Sequence, residues 1–201
     1  MVSLLLDFNG LILLMKEEEK RRETERQYKR ALKADPNNAV THLDYGNFLA
    51  TAGRLKEAES QYKHAMNADP NLAAAHNNYG VLLENMGHND EAEKQYKLAL
   101  EANPQFAVAH FNYANNLKEM ERLEEAEKQY QLALENYPNF VAAHHNYGLL
   151  LQEIARYEEA EEQYLLAIKA NPKDKDIHWS YGILLEKLGR KEEAAIQYLL
   201  A

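Results

Sequence analysis

The chain contains five prolines, Pro36, Pro70, Pro104, Pro138 and Pro172, and successive ones stand 34 residues apart. Tyr45, Tyr79, Tyr113, Tyr147 and Tyr181 keep the same step. A second series, Tyr28, Tyr62, Tyr96, Tyr130, Tyr164 and Tyr198, keeps it too, which leaves only Tyr137 and Tyr157 of the 13 tyrosines outside. A fixed period of this length specifies a stack of like units that bury their apolar faces on one another, rather than one closed core. The 201 residues hold nearly six such units.

Each unit reads as two helices. Within residues 39–72, His42, Tyr45, Gly46 and Leu49 follow i, i+3, i+4, i+7 spacing, which places them on one helical face. Gly53 breaks that helix. Leu55, Ala58, Tyr62, Ala65 and Met66 then mark one face of a second helix. It stops at Asp69-Pro70-Asn71, because a residue before proline is pushed out of the α region. Gly46, Gly80, Ala114, Gly148 and Gly182 occupy one repeat position, and Ala58, Ala92, Ala126, Ala160 and Ala194 another. Glycine inside a helix costs about 1 kcal/mol against alanine, so its recurrence predicts a close helix–helix approach.

These residues carry a resemblance to the tetratricopeptide repeat (TPR) family: the Tyr45-Gly46 pair and its copies, and the Ala58, Tyr62, Ala65 and Pro70 series. It covers roughly residues 19–201. The resemblance implies an all-α superhelical solenoid of antiparallel helix pairs, with repeats at 39–72, 73–106, 107–140, 141–174 and a partial 175–201. Where the family often has tryptophan, this chain has His42, His76, His110, His144 and His178.

The two ends depart from the pattern. Residues 1–18 include Leu4-Leu5-Leu6, Phe8 and Leu11 to Met15, apolar on every side. The run is shorter than the roughly 20 residues that span a bilayer, and no positive segment precedes it as in a secretory signal. One reading makes 1–18 the degenerate first helix of a capping repeat whose second helix is 19–38. The other makes it a helix for dimerisation or membrane contact, since so much exposed apolar surface is uncommon on monomers. At the other end, Leu199-Leu200-Ala201 stops midway through a second helix. Natural arrays usually close with a polar cap, so this points to an excised fragment or to a chain that finishes against another molecule. Two apolar ends would also allow a homo-oligomer, through residues 1–18 or through the open C-terminal end.

Composition narrows the function. With 23 basic and 32 acidic side chains the net charge is −9, which disfavours nucleic acid as a partner. There is no cysteine, hence no disulfide framework and no thiolate chemistry. Successive histidine copies sit a repeat apart, and packed helices stand about 8–10 Å apart, too far to share an ion bonded at about 2 Å. No metal site and no cofactor are therefore expected. Carboxylate runs such as Glu57-Ala58-Glu59 and Glu124-Glu125-Ala126-Glu127 read as a solvated helix face, and no nucleophile or zinc-protease motif occurs, so the chain does not read as an enzyme.

What remains is the face of each first helix opposite its buried stripe, which in the resembled family lines the ligand groove. Numbering each repeat from its first residue, position 6 reads Asp44, Asn78, Asn112, Asn146, Ser180; position 5 reads Leu43, Asn77, Phe111, His145, Trp179; position 9 reads Asn47, Val81, Asn115, Leu149, Ile183. Three asparagines at 34-residue steps form a candidate ladder, because a side-chain amide both donates and accepts and can pair with any extended backbone. The ladder resembles one found within the family. The candidate peptide-binding residues are Asn47, Asn77, Asn78, Phe111, Asn112, Asn115, His145, Asn146 and Trp179, with Trp179, the single tryptophan, as an exposed aromatic anchor. Chaperone-tail-binding members need a basic clamp at positions 2 and 6. Position 2 here reads Val40, Ala74, Val108, Ala142, Asp176, so a carboxylate-clamp chaperone tail is not expected.

The expectation is thus a cytoplasmic, non-catalytic scaffold that binds a protein or peptide segment in the groove of first helices. The alternatives are a self-assembling structural scaffold joined through its apolar ends, and the targeting domain of a larger enzyme.

Overall fold

The computed structural model describes residues 2–201 as eleven helices, with no strand among the described residues. They are α1 (Val2–Ala34), α2 (Ala39–Thr51), α3 (Leu55–Ala68), α4 (Ala73–Asn85), α5 (Asn89–Ala102), α6 (Ala107–Glu119), α7 (Leu123–Asn136), α8 (Val141–Glu153), α9 (Tyr157–Ala170), α10 (Lys175–Lys187) and α11 (Lys191–Leu200). The chain forms two compact units, one ending at Asn78 and one running Tyr79–Ala201, so the division falls inside α4.

Each helix boundary has a local cause. In the first unit Asn38 caps α2 by accepting from the Thr41 N–H at 2.9 Å. The Asp69 carboxylate accepts from the Asn71 N–H at 2.9 Å, which folds the chain through Pro70. Within a repeat, the turn between helices needs one left-handed residue. Gly53, Gly87 and Gly189 supply it at φ 74°, 78° and 77°, whereas Glu121 and Ala155 hold it at 59° and 60°. A residue with a Cβ pays roughly 1–2 kcal/mol for that conformation.

The recurring glycines allow the predicted approach. A Cβ on Gly46 would lie 2.6 Å from the Tyr62 ring, and one on Gly148 would lie 2.8 Å from Tyr164. Tyr96, Tyr130 and Tyr164 are fully buried beside Ala92, Ala126 and Ala160, so the tyrosine excess fills the space between helix layers. The histidines that replace the family's tryptophan tie turns to second helices. Nε2–H of His42, His110, His144 and His178 donates to the carbonyl of Pro36, Pro104, Pro138 and Pro172 at 2.9–3.1 Å. Nδ1 of each faces the side-chain amide of Gln61, Gln129, Gln163 and Gln197 at 2.7–2.8 Å.

Neighbouring repeats are also latched by charge. Arg122 donates to Glu93, 29 residues earlier, at 2.6 Å and to Glu125 at 2.7 Å, while the Tyr113 hydroxyl donates to the same Glu93 at 2.8 Å. Arg156 with Glu127 and Tyr147, and Arg190 with Glu161 and Tyr181, repeat the arrangement in the second unit. Arg54, Glu25 and Tyr45 repeat it in the first. Burial alone would raise the Glu93 carboxyl, but bonds from Arg122, Lys97 and Tyr113 outweigh it and hold the group at about 2. The Arg54 and Lys29 bonds bring Glu25 to about 2 as well. Four of the five glutamates in the carboxylate runs therefore belong to ion pairs: Glu57 with Arg54, Glu59 with Lys63, and Glu125 and Glu127 in the latches just described.

The N-terminal segment differs from the expected helix pair 1–18 and 19–38. It is one helix, Val2–Ala34, with no turn between residues 18 and 19. No proline or asparagine interrupts residues 10–34, and Glu18–Arg22 at 2.5 Å and Glu25–Lys29 at 2.7 Å reinforce the helix where a turn would be needed. Leu11, Leu13, Leu14 and Met15 lie 54–63% exposed along it. No described helix is long and apolar enough to cross a membrane.

Candidate functional site

Within the second unit the first helices α6, α8 and α10 contact one another in sequence, and their shared face carries Phe111, Asn112, Asn115, His145, Asn146 and Trp179. Position 5 on each helix is set by the second helix of its own repeat. Phe111 lies against Tyr130 with ring centroids 6.3 Å apart, His145 against Tyr164 at 6.1 Å, and Trp179 against Tyr198 at 4.9 Å. Burial at this position therefore varies with the residue. Trp179 remains 56% exposed, whereas Asn77 in the first unit is only 3% exposed. Asn77 thus does not stand on an open face as helical phase alone suggests. Its position borders the buried stripe, and its Nδ2 donates to Asn78 Oδ1 at 3.0 Å.

The asparagines do not act as a simple column at 34-residue steps. In the second unit, Asn115 Oδ1 accepts from the Tyr130 hydroxyl at 2.6 Å and from Asn146 Nδ2 at 2.9 Å. In the first unit, Asn47 Oδ1 accepts from the Tyr62 hydroxyl at 2.9 Å and from Asn78 Nδ2 at 2.7 Å. Position 9 of one repeat is thus bonded to position 6 of the next. In the intervening repeats the same tyrosine turns elsewhere: Tyr96 donates to Glu84 at 2.6 Å and Tyr164 to Gln152 at 3.2 Å. Tyr198 likewise faces Glu186, so the tyrosine bonds position 9 where that is Asn47 or Asn115 and turns to position 12 where position 9 is Val81, Leu149 or Ile183.

The tyrosine bonds orient the amides. Asn115 spends its oxygen inward, so its Nδ2 protons are directed away from Tyr130 and Asn146. Asn146 spends an Nδ2 proton inward and keeps its Oδ1. Neither group is fully enclosed, and both residues are half-buried. The face offers a donor and an acceptor on adjacent first helices, the complement of a peptide N–H and C=O.

Electrostatics on this face are mixed. Lys118 on α6 meets Glu153 on α8 at 3.5 Å. Burial raises the Glu84 carboxyl, with the Tyr96 bond partly opposing the shift. Burial pushes Tyr62 up to about 12, so the hydroxyls that hold the asparagines stay protonated at neutral pH. His145 Nε2 lies 2.9 Å from Ser180 Oγ.

Beneath this face lies a residue the repeat pattern did not single out. Asn116 is fully buried, at the position held by Phe48, Leu82, Leu150 and Leu184 in the other repeats. Its Nδ2 donates to the Asn89 carbonyl at 3.2 Å, and its Oδ1 has no partner. The broken column of apolar residues at this position is the signal that marks it.

Among the described residues, no group of three or more His, Asp or Glu side chains could hold a metal ion.

Tetratricopeptide repeat sequence profiles match residues 16–78, 49–110, 107–140, 129–162 and 146–201. Among solved structures, the chain is similar to PilW, described as a widely conserved type IV pilus biogenesis factor. The identity is 19% and the TM-score 0.80, over 94% of this chain and 87% of that one. It is similar to pilF of Pseudomonas aeruginosa at 23% identity and a TM-score of 0.76, over 81% of this chain and 74% of that one. It is similar to YrrB, described as a TPR protein with an unusual peptide-binding site, at 20% identity and a TM-score of 0.67, over 85% and 88% of the two chains. No curated protein sequence matches. Likeness at these identities speaks to fold alone, and the profiles agree with it along residues 16–201: the chain belongs to the tetratricopeptide repeat family.

Proposed function

We propose that the chain is a non-catalytic protein-interaction scaffold whose first-helix face binds an extended peptide segment. One observation carries this reading: the Asn115 oxygen holds both the Tyr130 hydroxyl and Asn146, which leaves an Asn115 N–H and the Asn146 oxygen uncommitted on adjacent first helices. Such a pair recognises backbone rather than a particular side chain. Exposed Trp179 and half-buried Phe111 supply apolar anchors on the same face. The solved structure of YrrB, whose description includes a peptide-binding site, supports the reading by analogy.

The test is capture from a peptide library, followed by affinity measurement. Each neutral hydrogen bond contributes about 0.5–1.5 kcal/mol, so Asn115→Ala with Asn146→Ala should weaken binding about 5- to 150-fold. Asn115→Asp keeps the oxygen that Tyr130 and Asn146 need but removes the outward donor, and should weaken binding without loss of helicity. Unchanged affinity in both variants would remove the asparagines from the site.

A second reading rests on Leu11, Leu13, Leu14 and Met15, exposed on one helix: self-association through residues 1–18. Light scattering over a concentration series, with and without residues 1–18, tests it. A monomer throughout would exclude it.

A further inference from the structure

His145 stands between the two aromatic anchors in sequence, and its hydrogen bonding fixes which ring nitrogen carries the proton. Ser180 Oγ lies 2.9 Å from the Asp176 carbonyl and 2.9 Å from His145 Nε2. A hydroxyl has one proton, and a carbonyl can only accept. Both contacts are satisfied together only when Ser180 donates to Asp176 and His145 Nε2–H donates to Ser180. The ring is then the neutral Nε2–H tautomer, with a lone pair on Nδ1. That nitrogen has no hydrogen-bond partner among the described residues and is not fully enclosed.

From this geometry we infer that His145 Nδ1 is a specificity-determining acceptor for an N–H or O–H donor of the bound peptide, and that protonation of this nitrogen releases the ligand. The inference rests on the peptide-binding reading of the same face. Burial lowers the His145 pKa from its ordinary 6.5, so the neutral acceptor form prevails at neutral pH. Asp174 and Asp176, at the start of α10, favour the charged ring and oppose that shift. Tyr164 of α9 lies against the ring, and burial raises it, so it stays neutral. As pH falls through the His145 pKa, Nδ1 gains a proton and changes from acceptor to donor. A ligand N–H in its place would then face a like donor.

The experiment uses the full chain. A random 12-residue phage-displayed library is selected at pH 7.5, and the most enriched peptide that also requires Trp179 is synthesised as the probe. Its Kd is measured at pH 7.5 and 5.5 by calorimetry for the wild type and for His145→Phe, a ring already tolerated at the equivalent Phe111. The wild type should weaken at the lower pH, by less than about tenfold, because a pKa held below 6.5 leaves part of the ring neutral at pH 5.5. His145→Phe should bind about tenfold more weakly at pH 7.5 and show no pH dependence. Ring nitrogen chemical shifts of His145 should report a protonated Nε2 and a bare Nδ1 at pH 7.5. A probe that needs Trp179 yet ignores His145, or a ring protonated at Nδ1, overturns the inference and leaves the peptide-binding reading standing. Enriched peptides indifferent to Trp179→Ala overturn both.

Discussion

Replacing Asn116 by leucine should stabilise the second unit. The asparagine is fully buried on α6, its Oδ1 is unpaired, and its remaining contacts are a 3.2 Å bond to the Asn89 carbonyl and a 3.6 Å approach to Met120 Sδ. A buried polar atom without a partner costs about 1–3 kcal/mol. Burying a leucine side chain contributes about 1.5–3 kcal/mol. Against these stand the lost Asn89 bond, about 1 kcal/mol, and the packing strain of a larger side chain, about 1–3 kcal/mol. Met120 is unbranched and flexible and can yield space, which keeps that strain at the lower end. The net gain should be about 1–3 kcal/mol, or about 2–12 °C in Tm for a chain of this size. Urea and thermal unfolding followed by circular dichroism would measure it, with hydrogen exchange of α5–α7 to place the effect. Asn116→Asp should do the reverse, because it buries a charge with a single donor nearby. If leucine at 116 lowered stability, Oδ1 would have to be satisfied, for example by a buried water, and the orphaned-acceptor argument would be wrong.

Ala155→Gly relieves a left-handed residue at φ 60° and should add about 0.5–1 kcal/mol, read as a higher urea midpoint. Gly148→Val should cost about 2–3 kcal/mol, since its Cβ alone would come within 2.8 Å of the Tyr164 ring, and a lower Tm would check it. Glu25 and Glu93 lie at about 2 when folded, below the ordinary 4.5, so their stabilisation is complete above about pH 4.5 and is lost as pH falls toward 2. Glu93→Gln should lower the urea midpoint at pH 7 and flatten its decline between pH 4.5 and 2.5.

The helix pairs were legible in the sequence because each of five repeats states the same pattern independently, and their prolines, glycines and tyrosines need only local geometry to be read. The pairings between repeats were not. Glu93 and Arg122 stand 29 residues apart, and nothing along either helix announces that they meet. The asparagines were visible as a column, yet their bonds run between different columns: Asn115 to Asn146, 31 residues away, rather than Asn112 to Asn146. Asn77 shows the limit of a single helical wheel, which has no knowledge of the second helix packed beside it. The unbroken α1 was missed because its apolar residues suggested a partner helix, whereas helix continuity depends on the absence of a breaker.

The tyrosine bonds set a rule for lengthening the array. In the second unit Tyr96 is tethered to Glu84, Tyr130 to Asn115 and Tyr164 to Gln152, so consecutive repeats are not interchangeable. A duplication of residues 107–140 alone would set one asparagine-tethered repeat directly after another. Asn115 would then meet the copy's Asn112, which like Asn146 is an asparagine at position 6, so its amide donor would still find the Asn115 oxygen. Each added copy of 107–140 thus brings its own tyrosine tether and its own amide bond between repeats, and a recognition face grown from it lengthens one repeat at a time.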